Sequence, residues 1–159
     1  MARLVRWAER GAEALGALFF ALMFASFLLQ VFSRYALDSP LGWTLEACLV
    51  TYLWSVFWAA AWSLRMRDHV RFDLLVRMLP ARGRRLAEMA GNALTLAVFA
   101  LAFWPTLDWV RFMAIDRTWV LGIRFDLLFS VYVLFMAAVM VRALLGLLAA
   151  VRGWGERGA

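Results

Sequence analysis

Four stretches of this 159-residue chain, 14–33, 47–64, 89–107 and 127–141, contain no charged residue. A helix needs roughly 20 mainly apolar residues to cross about 30 Å of hydrocarbon. Lipid offers no hydrogen bonds, so the backbone of a spanning segment must satisfy itself, which a helix does. The pattern therefore predicts an all-α membrane protein with four transmembrane helices, at about 14–34, 43–64, 86–110 and 125–147. Hydrophobic residues make up 65% of the chain, leaving only short loops and tails. A single transmembrane helical unit over 1–159, with no second soluble domain, is the expected organisation.

The formal charge of +6 is carried by Arg residues that flank the apolar spans. That distribution suits a lipid bilayer and its anionic headgroups, not nucleic acid. All 17 basic residues are Arg, which reads as coding bias and not as phosphate recognition. The amino-terminal tail, the connection between spans 2 and 3 and the carboxyl tail together hold thirteen Arg, against four on the opposite side. The excess predicts both termini in the cytoplasm. Arg3, Arg6 and Arg10 precede the first apolar run, but no small-x-small site follows it. A retained first span is expected in place of a cleaved leader.

Chemistry-bearing groups are scarce. Cys48 is the only cysteine and His69 the only histidine, which argues against disulfide chemistry and paired-histidine haem ligation within one chain. Asp68, His69 and Asp73 fall close together, yet a turn at the membrane surface explains them as well as a metal would. No nucleophile–base arrangement and no Gly-rich phosphate loop is present. No catalytic residue, substrate site, metal or cofactor is expected, and the chain is read as a non-enzyme.

Between spans 2 and 3, the sequence from Phe72 to Leu79 gathers apolar side chains on one side of a helical projection. An interfacial amphipathic helix at about 70–79, ended by Pro80, is the expectation. Its membrane-interface anchors would be Arg65, Arg67, Arg71, Asp73, Arg77, Arg82, Arg84 and Arg85; an ordinary solvated basic loop is the alternative. Asn92 is the most polar side chain in any span and suggests an interhelical hydrogen bond. Pro105 should bend the far end of span 3. Arg142 interrupts the fourth span, and either snorkels to the headgroups or pairs inside the membrane. Trp54, Trp58 and Trp62 form an i, i+4, i+8 stripe on span 2. The stripe serves either packing or contact with another membrane subunit.

The hairpin between spans 1 and 2 is the most specific segment. Arg34 closes the first span, Ser39-Pro40 makes a turn and Trp43 anchors the next entry. Glu46 follows one residue before an uncharged run, where a semi-buried carboxylate costs free energy unless paired. Arg34, from the other arm, is the candidate partner.

QVFSRY (Gln30 to Tyr35), PLGWTLE (Pro40 to Glu46), HVRFDLL (His69 to Leu75) and Leu79-Pro80, in this order and spacing, resemble the small membrane subunit of TRAP transporters, the tripartite ATP-independent periplasmic carriers. Three positions depart from that pattern: Leu45 replaces a second acidic residue, Ala59-Ala60-Ala61 replaces a segment with Gly, and Gly122-Ile123-Arg124 replaces a Gly-Ile-Pro-like turn. The resemblance implies a multi-pass protein of the bacterial inner membrane. Its partners would be a large elevator-type membrane subunit and a periplasmic solute-binding protein that delivers organic anions, often carboxylates, for ion-coupled uptake. This chain would be the non-catalytic scaffold, with Arg34, Trp43, Glu46, Trp54 and Trp58 as structural or partner-interface candidates. The rival expectation is a self-sufficient, proton-coupled four-helix homo-oligomer that uses Glu46 as its switch.

Overall fold

The computed structural model describes residues 2–39, 41–63 and 80–155. Four helices are present: α1 (Ala2–Tyr35), α2 (Gly42–Trp58), α3 (Ala81–Phe112) and α4 (Phe125–Gly155). Each contains, or with its extension contains, a span long and apolar enough to cross a membrane: Arg10–Tyr35, Gly42–Trp62, Gly83–Ile115 and Phe125–Val151. Helix α1 has 34 residues, about 50 Å at the α-helical rise, so it extends past the hydrocarbon. Helix α3 runs on through Pro105 to Phe112. The expected interfacial helix, His69 and the anchors Arg65, Arg67, Arg71, Asp73 and Arg77 lie outside the described residues.

Side by side, the helices follow the order α1, α2, α4, α3. Among the described residues, α1 packs only on α2 and its extension, while α3 packs on α4. Helices α2 and α4 meet in the middle. The described helices thus form an open row. Its buried apolar residues are Ala61, Val110, Val131, Met136 and Ala143, three of them on the inner helix α4. In lipid, helices gain nothing from hiding apolar faces, so a row loses nothing to a bundle on that count.

Aromatic side chains knit the row. Phe19 of α1 meets Trp54 and Trp58 of α2, with ring centroids 5.6 and 6.1 Å apart. Phe57 of α2 reaches Tyr132 and Phe135 of α4 at 5.2 and 5.5 Å. Phe135 in turn lies 6.2 Å from Phe99 of α3. Nearer the α3–α4 loop, Trp109 packs on Phe129 at 5.1 Å.

The α1–α2 turn is closed by short-range polar bonds. The Ser39 N–H donates to the Ser33 carbonyl at 3.0 Å, and Asp38 takes the left-handed conformation that Asp tolerates (φ 47). Ser33 and Thr44 are completely buried. The Ser33 hydroxyl donates to the Gln30 carbonyl at 3.1 Å. The Thr44 hydroxyl lies 2.6 Å from the Leu41 carbonyl and against Oε1 of Gln30.

Candidate functional site

The connection between α3 and α4 is a built loop. Its first residues, Met113–Ile115, form a 3₁₀ turn, and an antiparallel bridge then pairs Arg117 with Arg124. The Thr118 N–H donates to the Ile123 carbonyl at 2.9 Å, and the Ile123 N–H to the Thr118 hydroxyl at 3.0 Å. Gly122 closes this small hairpin at φ +65, a left-handed conformation suited to glycine. Arg124 grips Asp126 through two bonds of 3.0 and 2.7 Å, placing a carboxylate in the first turn of α4. That position is favourable for negative charge.

The closed hairpin leaves two backbone donors at its tip pointing outward, and Glu46 of α2 takes both. The Val120 N–H donates to Oε1 at 2.9 Å and the Leu121 N–H to Oε2 at 2.8 Å. Charge-assisted bonds of this kind are stronger than neutral ones. Gly42, one turn earlier on α2, lies against the same loop, where a Cβ would make an ordinary 3.5 Å contact with Val120 Cγ2. Glu46 thus joins α2 to the α3–α4 loop. Arg34 takes a different neighbour from the expected one, with its guanidinium 5.9 Å from the centroid of the Tyr35 ring.

A second charge acts at the other end of the same seam. Helix α2 continues into a π-helical turn, Ala59–Ser63. Such single π turns are uncommon and often mark functional positions. Arg142 of α4 reaches this turn. Its Nη1 lies 3.4 Å from the Ala60 carbonyl, and its Nη2 donates to the Ala61 carbonyl. Both residues belong to the run Ala59-Ala60-Ala61. Arg142 therefore has partners inside the protein.

Trp54 and Trp58 are half-buried against α1. The Trp58 Nε1–H donates to the Ala12 carbonyl at 2.9 Å, beside Gly16, where a Cβ would be 3.5 Å from Trp58 Cδ1. Trp43 is exposed near the start of α2. Arg82 lies in the first turn of α3. Arg84 forms an exposed i, i+4 ion pair with Glu88 at 3.3 Å, and Arg85 lines a cleft between α3 and α4. Asn92 packs against Gly146, where a Cβ would meet Asn92 Nδ2 at 2.8 Å.

Of the expected site residues, the structure thus brings Trp54 and Trp58 together and seats Glu46 on a loop 74 residues away in sequence. It does not bring Arg34 to Glu46. Sequence reasoning overlooked Val120 and Leu121, because their contribution is made by main-chain N–H groups. The detectable signal was Gly122, a residue that permits a tight hairpin with outward-facing amides. Chemically, these contacts can fasten helices to one another and to the loop. Among the described residues, no group of three or more His, Cys, Asp or Glu is placed to hold a metal ion.

Residues 23–153 match the family described as "Tripartite ATP-independent periplasmic transporters, DctQ component". The chain belongs to this family. Glu46, the π-helical turn, the α3–α4 loop and Arg142 all lie within the matched region. The chain is also 25% identical over 117 residues to the C4-dicarboxylate TRAP transporter small permease protein DctQ of Vibrio cholerae serotype O1 (strain ATCC 39315 / El Tor Inaba N16961). That similarity covers 74% of this chain and 50% of the relative, so the chain spans about half the length of the curated protein it matches. Family membership and the four apolar helices identify a multi-pass membrane protein of the TRAP small permease kind.

Proposed function

We propose that the chain is a non-catalytic scaffold that supports the large, elevator-type subunit of a TRAP transporter during ion-coupled uptake of organic anions. The supporting observation is the use made of its two seam charges. Glu46 is taken up by backbone N–H groups of the α3–α4 loop, and Arg142 by backbone carbonyls of the π turn. A carrier needs ionisable groups facing a pathway, and these two face the protein's own backbone. An open row also offers broad apolar flanks to a partner without internal rearrangement.

The family supports the assignment of partners: a large membrane subunit and, through the complex, a periplasmic solute-binding protein. The curated relative, named for C4-dicarboxylates, favours carboxylates as the transported class. The Arg asymmetry supports a bacterial inner-membrane location with both termini cytoplasmic. On this reading Arg34 and Trp43 steady the periplasmic hairpin, while the 70–79 segment and its Arg residues fix depth at the cytoplasmic surface.

The test is reconstitution. Liposomes containing the chain with its large partner, supplied with the binding protein, should take up labelled dicarboxylate under a sodium gradient. Liposomes containing the chain alone should not; uptake by the isolated chain would sink the scaffold reading. Glu46→Gln addresses the rival proton switch, which would lose coupling while assembly stayed intact. A fastening carboxylate instead loses assembly first.

A further inference from the structure

At the end of the α3–α4 pair remote from the Glu46 loop, the two helices part to leave a cleft of about 310 Å³. Arg85, Glu88 and Asn92 line it from α3, and Gly146, Ala149 and Ala150 from α4. The cause is local. Asn92 and Gly146 are in contact at its floor, and beyond them α4 presents only methyl groups where larger side chains would fill the space. The cleft therefore carries a cation, an anion and an amide on one wall and an apolar wall opposite. Its lining falls in the first three turns of the apolar stretch of α3 that begins at Gly83 and in the last two turns of that of α4, which ends at Val151. By length and composition this is the headgroup side of both stretches.

We propose that this cleft binds a phospholipid whose headgroup carries both a phosphate and a primary ammonium, phosphatidylethanolamine by class. Arg85 already has a partner within the chain, and its guanidinium, with five N–H donors, keeps capacity for charge-assisted bonds to the phosphate. Glu88, whose carboxylate already accepts from Arg84 at 3.3 Å, has remaining acceptor capacity for the ammonium, as does the side-chain carbonyl of Asn92. A phosphatidylglycerol headgroup brings no cation to Glu88, and the quaternary ammonium of phosphatidylcholine has no N–H to donate. The volume lies at the small end of ligand pockets and fits a headgroup, not a whole lipid. Acyl chains would then run along the exposed Leu86 and Leu145, which adjoin the lining residues in sequence. The proposal does not rest on the scaffold reading.

Native mass spectrometry of the full chain, exchanged into equal amounts of phosphatidylethanolamine, phosphatidylglycerol and phosphatidylcholine, tests the proposal. Phosphatidylethanolamine should be retained roughly tenfold over the others, the ratio expected of one charge-assisted hydrogen bond. Glu88→Gln should abolish that preference while leaving the thermal melt unchanged. Ala150→Phe should fill the cleft and abolish retention, and Ala149→Val should weaken it if the larger replacement prevents folding. Equal retention of all three lipids, or undiminished retention in both alanine variants, would overturn the site. Soluble glycerophosphoethanolamine binding as tightly as the lipid would show a free-headgroup site and overturn the lipid assignment.

Discussion

The two ends of the α2–α4 seam solve one problem with opposite charges. At the loop end, an anion from α2 accepts two N–H groups from a tight hairpin. At the other end, a cation from α4 donates to two carbonyls of a π turn. Each helix sends one charge, Glu46 to the loop that precedes α4 and Arg142 to the extension of α2, and in both cases the receiver is main chain. The difference is burial. The Glu46 bonds lie at the exposed surface, whereas the Arg142 bonds are partly buried. An unmet polar group is more costly at the more buried site. The Arg142 contact should therefore matter more for stability, and the Glu46 contact more for loop order.

Arg142→Met is the strongest way to break this contrast. It removes both bonds to the π turn and should destabilise the protein by about 2 kcal/mol, read from unfolding in mixed detergent micelles. If it is neutral, the two ends are not a matched pair. Glu46→Ala should come next and act differently. Hydrogen exchange at Val120 and Leu121 should rise sharply, with a smaller fall in melting temperature than for Arg142→Met. Gly146→Ala sets packing against these polar fastenings. Its methyl would crowd Asn92 and should cost about 1 kcal/mol, restored when combined with Asn92→Ala. Persistence of the loss in the double variant would implicate some other neighbour. Trp58→Phe should have the smallest effect, about 0.6 kcal/mol, because it deletes one interhelical hydrogen bond while keeping most of the ring packing. A larger fall would mean that α1 depends on the Ala12 contact more than on its aromatic one.

How much of this was legible from residue order depends on what each feature asks of side chains. The spans were readable because lipid forbids charge over a helix-length run, a rule that acts on composition alone. Glu46 was readable as a carboxylate in need of partners. The choice of Arg34 followed charge matching, whereas the structure uses amides that any residues could supply once Gly122 closes the hairpin. Arg142 was recognised as an intrusion into span 4. The π turn that receives it leaves no trace in hydropathy, since Ala59, Ala60 and Ala61 suit an α-helix equally well. The order of the row was also hidden. Helices that are apolar on every side do not declare which face meets a neighbour, because lipid and protein are similar solvents for leucine.

Because the central seam is riveted near both extremities, α2 and α4 cannot slip past each other by even one helical turn, about 5.4 Å, without tearing both rivets at once. Glu46 and Arg142 thereby convert two hairpins into a single plank. Force applied to the loop bearing Trp119 is delivered directly to the second helix, with no detour through the third.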